Sequence, residues 1–434
     1  MESGDIILTQ DIQELLRFIK EAPSPCHTAA AVAKRLDKAG FARLALDGEW
    51  QLKRGGRYYV PVYGSAVMAF VAGEKAGSLR LAAAHTDFPC FRLKPRAGMV
   101  KENYGILNVE KYGGMLLRTW LDRPLSLAGK VVLRGETAFA PQVRLVDFAR
   151  PLLTIPSLAI HMDREVNDEG KLNAQTDMLP LAAVSGETME EDFFLSWLAA
   201  ELGTAAEDIL SYELSAYPVE DGCLCGLHSE FISAPRLDNL TSVVAVLRGI
   251  MAAPPENNAG LRLGAFFDNE EVGSQTKQGA GSAVLMQVLE RIYMALGRTR
   301  SELLADIAGG FMLSVDVAHG LHPNHPDKCD PSNKPLLGGG VVLKQAASQA
   351  YAGDAEAVAV VRDICERNNI SWQGFVNRSD MRGGSTLGSI ASALVPMRTM
   401  DIGVPVLAMH SAREVMAADD QGALTDLLTV FYNS

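Results

Sequence analysis

LRLGAFFDNEEVGS, residues 261 to 274, carries more information than any other stretch of this chain. From Leu261 to Phe267 the run is apolar apart from Arg262, has the length of a strand, and leads into two adjacent glutamates, Glu270 and Glu271. Carboxylates held side by side after a hydrophobic strand repel each other unless a cation or a proton intervenes, so the pair asks for a metal or an acid/base task. A bare Glu-Glu pair otherwise reads as a solvated loop. Here it is confined between Phe266-Phe267 and Val272-Gly273, and its company elsewhere in the chain decides between the two readings.

The chain has room for such a site. At 434 residues and 48% hydrophobic content it can bury large cores, and that length suggests about two to three domains. A formal charge of −12 and the lack of a Lys/Arg stripe argue against nucleic-acid binding. An acidic substrate would therefore need a local positive site working against the global field. Six cysteines, Cys26, Cys90, Cys223, Cys225, Cys329 and Cys365, are thinly spread, which fits a reducing compartment. Cys223 and Cys225 form CxC, the wrong spacing for a zinc knuckle, and read as structural. The N-terminal segment MESGDIILTQDIQELLRFIKEA is acidic and amphipathic, and no apolar run reaches about 18 residues, so the expectation is a cytoplasmic protein without secretory signal or membrane span.

Periodicity predicts a helix over 9 to 20, a second in TAAAVAKRLDKAG closed by a capping Gly, and strands in RYYVPVYGSAVMAFVAG and SLRLAAAHTD, the latter apolar enough to be central in a sheet. From about 92 to 232 the texture changes to short alternating runs broken by Gly and Pro, which reads as a β-rich module with a helix or two. After Ser233 long elements alternate again, with helices near 239–253, 279–295, 353–368 and 383–393 and strands at 261–267 and 311–316 and in VVLK, SWQGFVN and PVLAMH, before a closing helix. The expected fold is α/β: a central, mostly parallel sheet flanked by helices, built from 1–92 and 233–434 and interrupted by a β-rich domain over 93–232. His319, His322 and His325 share the spacing of a metal tract, but their turn-rich segment HGLHPNHPDKCDPSNKPLLGGG lacks a helix or strand to scaffold it and reads as a loop near the site.

Ligands for divalent metals collect outside the carboxyl ends of strands in open α/β sheets. His85 and Asp87 (AHTD) follow one predicted strand, Asp238 opens a helix in RLDNLTSVV, Glu270 and Glu271 follow another strand, Asp316 (LSVDVAH) ends a third, and His410 (VLAMHSARE) ends a fourth. Singly, Asp238 reads as a helix cap, Asp316 as a turn former and either histidine as a hydrogen-bonded core residue. Together, at the ends of elements spread over more than three hundred residues, they read as a metal centre.

The segments AHTDFPCFRLKP, RLDNL, DNEEVGS, MLSVDVAHG, HPNHPDK, FVNRSDMRGGSTLG and MHSARE resemble, in order, the aspartyl aminopeptidase family of co-catalytic zinc peptidases, over nearly the whole chain from SPCHTAA near residue 24 to MHSARE near 409. The resemblance implies a zinc-peptidase type α/β domain with the inserted module serving dimerisation. It implies two zinc ions per subunit, replaceable by Mn or Co, held by His85, Glu271, Asp316 and His410 with Asp238 bridging. Glu270 would be the general base, and Asp87 would orient the His85 imidazole. His161, in IPSLAIHMD, matches a family histidine that reaches a neighbouring subunit's active site and helps hold the substrate carbonyl, whereas the residues alone make it a strand-end core histidine. Lys344, in GVVLKQAASQAYA, matches the lysine that reads the substrate carboxylate, with Tyr351 in the same motif and Arg378, Ser379 and Asp380 as further candidates for shaping the pocket. The implied activity is release of N-terminal Asp or Glu from peptides by a homo-oligomer, a dodecamer built from dimers.

The chain departs from the family at Met381-Arg382-Gly383, where Pro-Cys-Gly is usual, and at Cys26-His27, where an aromatic-His pair is common. None of the metal positions is affected, but the pocket rim is. Two alternatives remain: a broad aminopeptidase or small-amide amidohydrolase on the same centre, and a non-catalytic scaffold retaining a structural metal.

Overall fold

The computed structural model describes residues 9–73, 79–184, 189–190, 192–254, 260–381 and 383–434, so Arg382 of the pocket-rim departure lies outside the described residues. The chain divides into two compact units. The first comprises residues up to Asp87, Gly222–Met409 and Glu414–Ser434; the second comprises Phe88–Asp221 with His410–Arg413.

The first unit is built on a nine-stranded sheet. Across it the strands run Ala42–Arg43, Arg57–Val62, Ala66–Val71, Arg262–Phe267, Arg80–His85, Phe311–Val315, Arg398–Gly403, Val341–Gln345 and Trp372–Val376. Five of the eight neighbouring pairs are parallel, including the central run from Arg262–Phe267 to Arg398–Gly403. Both faces of the central strands are covered, which is why Arg262–Phe267 reads as a continuous apolar run instead of an alternating one. Leu263, Ala265 and Phe267 face a core shared with Val284, Val288 and Ile292 of the helix Val284–Ala295. On the opposite face, the helices Leu237–Ala252 and Ala418–Asn433 pack together, and the Tyr432 hydroxyl of the second donates to Leu263 O at 2.9 Å. The lone charge of the run, Arg262, is buried and satisfied, with Nε donating to Tyr432 O at 2.7 Å.

Two features of this unit escaped the sequence reading. The helix Arg300–Ala308 was signalled only by the capping box Thr299/Glu302 at its start. A small five-stranded sheet, in the order Cys223–Cys225, Phe231–Ala234, Glu414–Ala417, Pro405–Leu407, Ala318–His319, gathers strands too short to show periodicity. The expected PVLAMH strand belongs to this small sheet and stops at Leu407, so His410 lies in a turn beyond it, at φ +64°.

The second unit holds a six-stranded antiparallel sheet, ordered Gln142–Asp147, Leu125–Leu133, Ile209–Pro218, Cys90–Lys101, Tyr104–Tyr112, Leu181–Val184. Its core joins Phe91, Leu107, Leu127, Val131 and Leu214 with Phe194 and Leu198 of the helix Phe193–Leu202. The unit's limits, Phe88 and Asp221, precede the 93 and 232 expected from texture, because the strand Cys90–Lys101 already belongs to this sheet while Cys223–Cys225 and Phe231–Ala234 do not. Among the described residues no helix is long and apolar enough to cross a membrane.

Candidate metal centre

Three adjacent parallel strands end together: Phe267 stands opposite His85, and Ser314 opposite Ala83. His85 is therefore the last residue of the middle strand, Asp316 follows Val315 on one side, and the short 3-10 turn Glu270–Val272 follows Phe267 on the other. Alignment at the carboxyl edge of a parallel sheet brings into one place residues separated by up to 231 positions, the interval from 85 to 316. Asp238 arrives from the kinked start of the helix Leu237–Ala252, where Asp238 and Asn239 have non-helical backbone angles and are joined by a cis peptide. Asn239 Nδ2 donates to Val315 O at 2.9 Å, and Asp238 N–H donates to Glu414 Oε2 at 2.9 Å. Glu414 is a buried carboxylate that the sequence reading passed over, although it lies within the MHSARE motif. Nearby, Gly403 runs so close to the Asp316 carbonyl that a Cβ there would overlap it.

The fully buried His85 presents Nε2 to Asp238 Oδ1 at 3.4 Å, Asp316 Oδ1 at 3.5 Å and Glu270 Oε2 at 3.9 Å. Nε2 makes no hydrogen bond, although it is buried and ringed by acids. One ligand atom each from His85, Asp238 and Asp316 lies within 4.8 Å of the others, as do atoms of His85, Glu270 and Glu271, and a carboxylate oxygen of Asp238 is equally close to one of Glu271. Imidazole and carboxylate donors converging on a non-hydrogen-bonded nitrogen are what a divalent cation needs, and His85 is common to both groups.

Asp87 is buried behind this cluster. Its carboxylate accepts from Glu270 N–H and Glu271 N–H, each at 3.1 Å, and lies 3.4 Å from His85 Nδ1, while its carbonyl oxygen is 3.0 Å from that same nitrogen. Asp87 thus braces the imidazole and the glutamate turn together.

The charges shape one another. Burial pushes the Glu270 carboxyl up to about 8, with repulsion from Asp316, Asp87 and Asp238 adding to the rise and His85 opposing it. Burial would drive the His85 imidazolium down, but Asp238, Asp316 and Asp87 outweigh it and hold the proton well above the usual range. The Glu270 side chain keeps 14% of its surface exposed, enough to meet solvent.

Lys344 is buried, donates to Val317 O at 3.1 Å and lies 3.6 Å from Asp316 Oδ2, with the Tyr351 ring 5.3 Å from its Nζ. Burial opposes its charge, but Asp316 and Asp401 hold the ammonium protonated above its ordinary range. Arg378 is engaged with Asp380 at 2.6 Å and donates to Asp327 O. It lines a cavity of about 300 Å³ with His319, His322, Phe375 and Met381. Among the described residues, His319, His322 and His325 do not form a ligand group.

The remaining two candidates lie in the second unit. His161 occupies an exposed turn between exposed Ile160 and Met162, not the strand end in a core that its neighbours suggested. His410 has Nδ1 2.7 Å from Gly114 O, and its carbonyl accepts from Leu116 N–H at 3.0 Å.

The model of the family described as aminopeptidase I zinc metalloprotease (M18) matches residues 18–432. A protein of Clostridium acetobutylicum named "Probable M18 family aminopeptidase 2" is 41% identical over 427 residues, covering 97% of this chain and 98% of the relative. Among solved structures, the chain is similar to Ape4 in its cryo-EM complex with Nbr1, with a TM-score of 0.91 and 33% identity over 97% of this chain and 85% of that one. It is also similar to the S. cerevisiae mApe1 dodecamer, with a TM-score of 0.83 and 26% identity over 97% and 95% of the two chains. The acidic cluster at the carboxyl edge of this sheet thus lies in a chain that belongs to the M18 family of zinc metalloaminopeptidases.

Proposed function

We propose that this aminopeptidase releases N-terminal Asp, and Glu, from peptides. The reading rests on one observation: a lysine kept charged in full burial, Lys344, stands beside Asp316 at the edge of the acidic cluster. An ammonium held there is a point charge for a substrate side-chain carboxylate in an otherwise acidic chain. Tyr351 forms the adjoining wall, and Arg378 contributes to the rim.

Two zinc ions, with Mn or Co as substitutes, would be held by His85, Glu271 and Asp316 with Asp238 bridging, and by His410 as the family resemblance implies. When bound, such ions polarise the scissile carbonyl and make water acidic near neutral pH. Glu270 takes the proton of the attacking water on its carboxylate and returns it to the leaving amine. Asp87 fixes both His85 and the turn that aims Glu270. Following the family resemblance, His161 would act at a neighbouring subunit's site to hold the substrate carbonyl. This requires a homo-oligomer; the mApe1 neighbour is a dodecamer, and this chain would assemble likewise, from dimers joined through the second unit as the family resemblance implies. A cytoplasmic setting fits six cysteines that form no disulfide.

A broader specificity has one observation in its favour, since an ammonium 3.6 Å from Asp316 is already partly neutralised. The deciding experiment measures kcat/KM on matched N-terminal Asp, Glu, Leu and Ala substrates with the protein stripped of metal and then reloaded. Metal-dependent preference for Asp or Glu of at least about tenfold, worth about 1.4 kcal/mol, supports the acidic reading. Metal-dependent turnover without preference transfers the chain to the broad reading, and no turnover on any substrate removes both.

A further inference from the structure

Asp401, a carboxylate with no part in the proposed hydrolytic steps beyond favouring the Lys344 charge, is buried in the strand Arg398–Gly403, whose neighbours in the sheet are Phe311–Val315 and Val341–Gln345, the strands leading to Asp316 and carrying Lys344. A carboxylate without solvent is costly to keep unless its oxygens are well occupied. Here they are. Oδ2 accepts from Ala352 N–H, Oδ1 accepts from the Thr386 hydroxyl at 2.8 Å, and Asp401 N–H donates back to Ala352 O at 2.8 Å. Thr386 N–H donates in turn to Ala350 O at 3.3 Å.

These four bonds clamp the chain on both sides of Tyr351. That tyrosine is buried, with its ring 5.3 Å from Lys344 Nζ and 6.1 Å from the Phe375 ring. The clamp is tightly built, because a Cβ on Gly388, in the first turn of the helix Leu387–Leu394, would stand 2.8 Å from Asp401 Oδ1. Residues 346 to 354 otherwise form only a short turn between the Lys344 strand and the helix Ala355–Arg367, so nothing regular in the backbone holds Tyr351 in place.

We infer that Asp401 is a positioning residue for the substrate side-chain pocket: through Ala352 and Thr386 it holds Tyr351 against Lys344 and thereby sets the preference for acidic over neutral N-terminal residues. The inference rests on the acidic-side-chain reading above. A purely structural Asp401 would affect all substrates alike, whereas a positioning one acts on their ratio.

The test uses full-length, metal-loaded protein, with Asp401→Asn, Thr386→Val and Thr386→Ser compared on N-terminal Asp and Ala substrates. Asparagine preserves the volume of Asp401 but turns a donor toward either Ala352 N–H or the Thr386 hydroxyl. The Asp-over-Ala ratio of kcat/KM should fall about tenfold, through a raised KM on the Asp substrate. Thr386→Val should shift the ratio in the same direction and Thr386→Ser restore it. The Thr386 pair decides the matter if Asp401→Asn fails to fold. Folded variants with the wild-type ratio, or equal losses on both substrates, overturn the inference while leaving the acidic reading intact. A wild-type ratio near one overturns that reading and this inference with it.

Discussion

Replacing Asp87 with asparagine probes the brace behind the centre without touching any proposed ligand. In the native turn the Asp87 carboxylate accepts two backbone hydrogen bonds, from Glu270 and Glu271 at 3.1 Å each, with His85 Nδ1 3.4 Å from Oδ1. Asparagine offers one acceptor oxygen and one donor group, so one of the two amides must face another donor. A hydrogen bond to a charged group contributes about 1.5 to 3 kcal/mol, and the surviving bond drops to the neutral value of about 1 kcal/mol. Part of that loss is absorbed locally, since the turn is also closed by Gly273 N–H to Glu270 O at 2.9 Å and Ser274 N–H to Asn269 O at 2.8 Å. The share reaching the chemistry should be about 1.4 to 2.7 kcal/mol, a 10- to 100-fold loss in kcat/KM or in metal affinity. The assay pairs kcat/KM at saturating zinc with a competition titration of metal affinity. If Asp87→Asn keeps wild-type values in both, the bracing role assigned to Asp87 is wrong.

Four other outcomes follow from the same geometry. Glu270→Gln should retain metal while kcat falls by about 10² to 10⁴, and a variant turning over at the normal rate removes Glu270 as the base. Lys344→Met should erase most of the preference for acidic residues, and unaltered selectivity in competition between Asp and Leu substrates would refute its role. Zinc binding should release protons, because His85 holds its proton above the usual imidazole range and Glu270 is raised to about 8 in the metal-free site. The sign is that affinity weakens as pH falls from about 8 toward 6; calorimetry in buffers of different ionisation enthalpy would show it, and a flat affinity would contradict it. Gly403→Ala should destabilise the protein by at least about 3 kcal/mol, since the added Cβ would overlap the Asp316 carbonyl, and an unchanged denaturation midpoint would show that the strand can shift.

The sequence alone determined the α/β class and the strands whose ends carry His85, Asp316 and the glutamate pair. Those signals are local: an apolar run bounded by polar residues identifies a buried strand wherever it sits, and the carboxyl edge of such strands is where polar side chains emerge. His410 departs from the expected strand end because its apolar neighbours suggest a strand where the chain forms a turn. Only the tertiary structure decided that the Asp87 carboxylate accepts amides 183 and 184 residues away, that Lys344 lies against Asp316, and that Asp401 clamps the Tyr351 segment across 49 residues. Each of these depends on strand order in the sheet, where Arg262–Phe267 and Arg80–His85 are neighbours although Phe88–Asp221 of the second unit lies between them in the chain. Residue spacing along the chain does not encode that order; it is set by which hydrophobic faces bury one another when the sheet assembles.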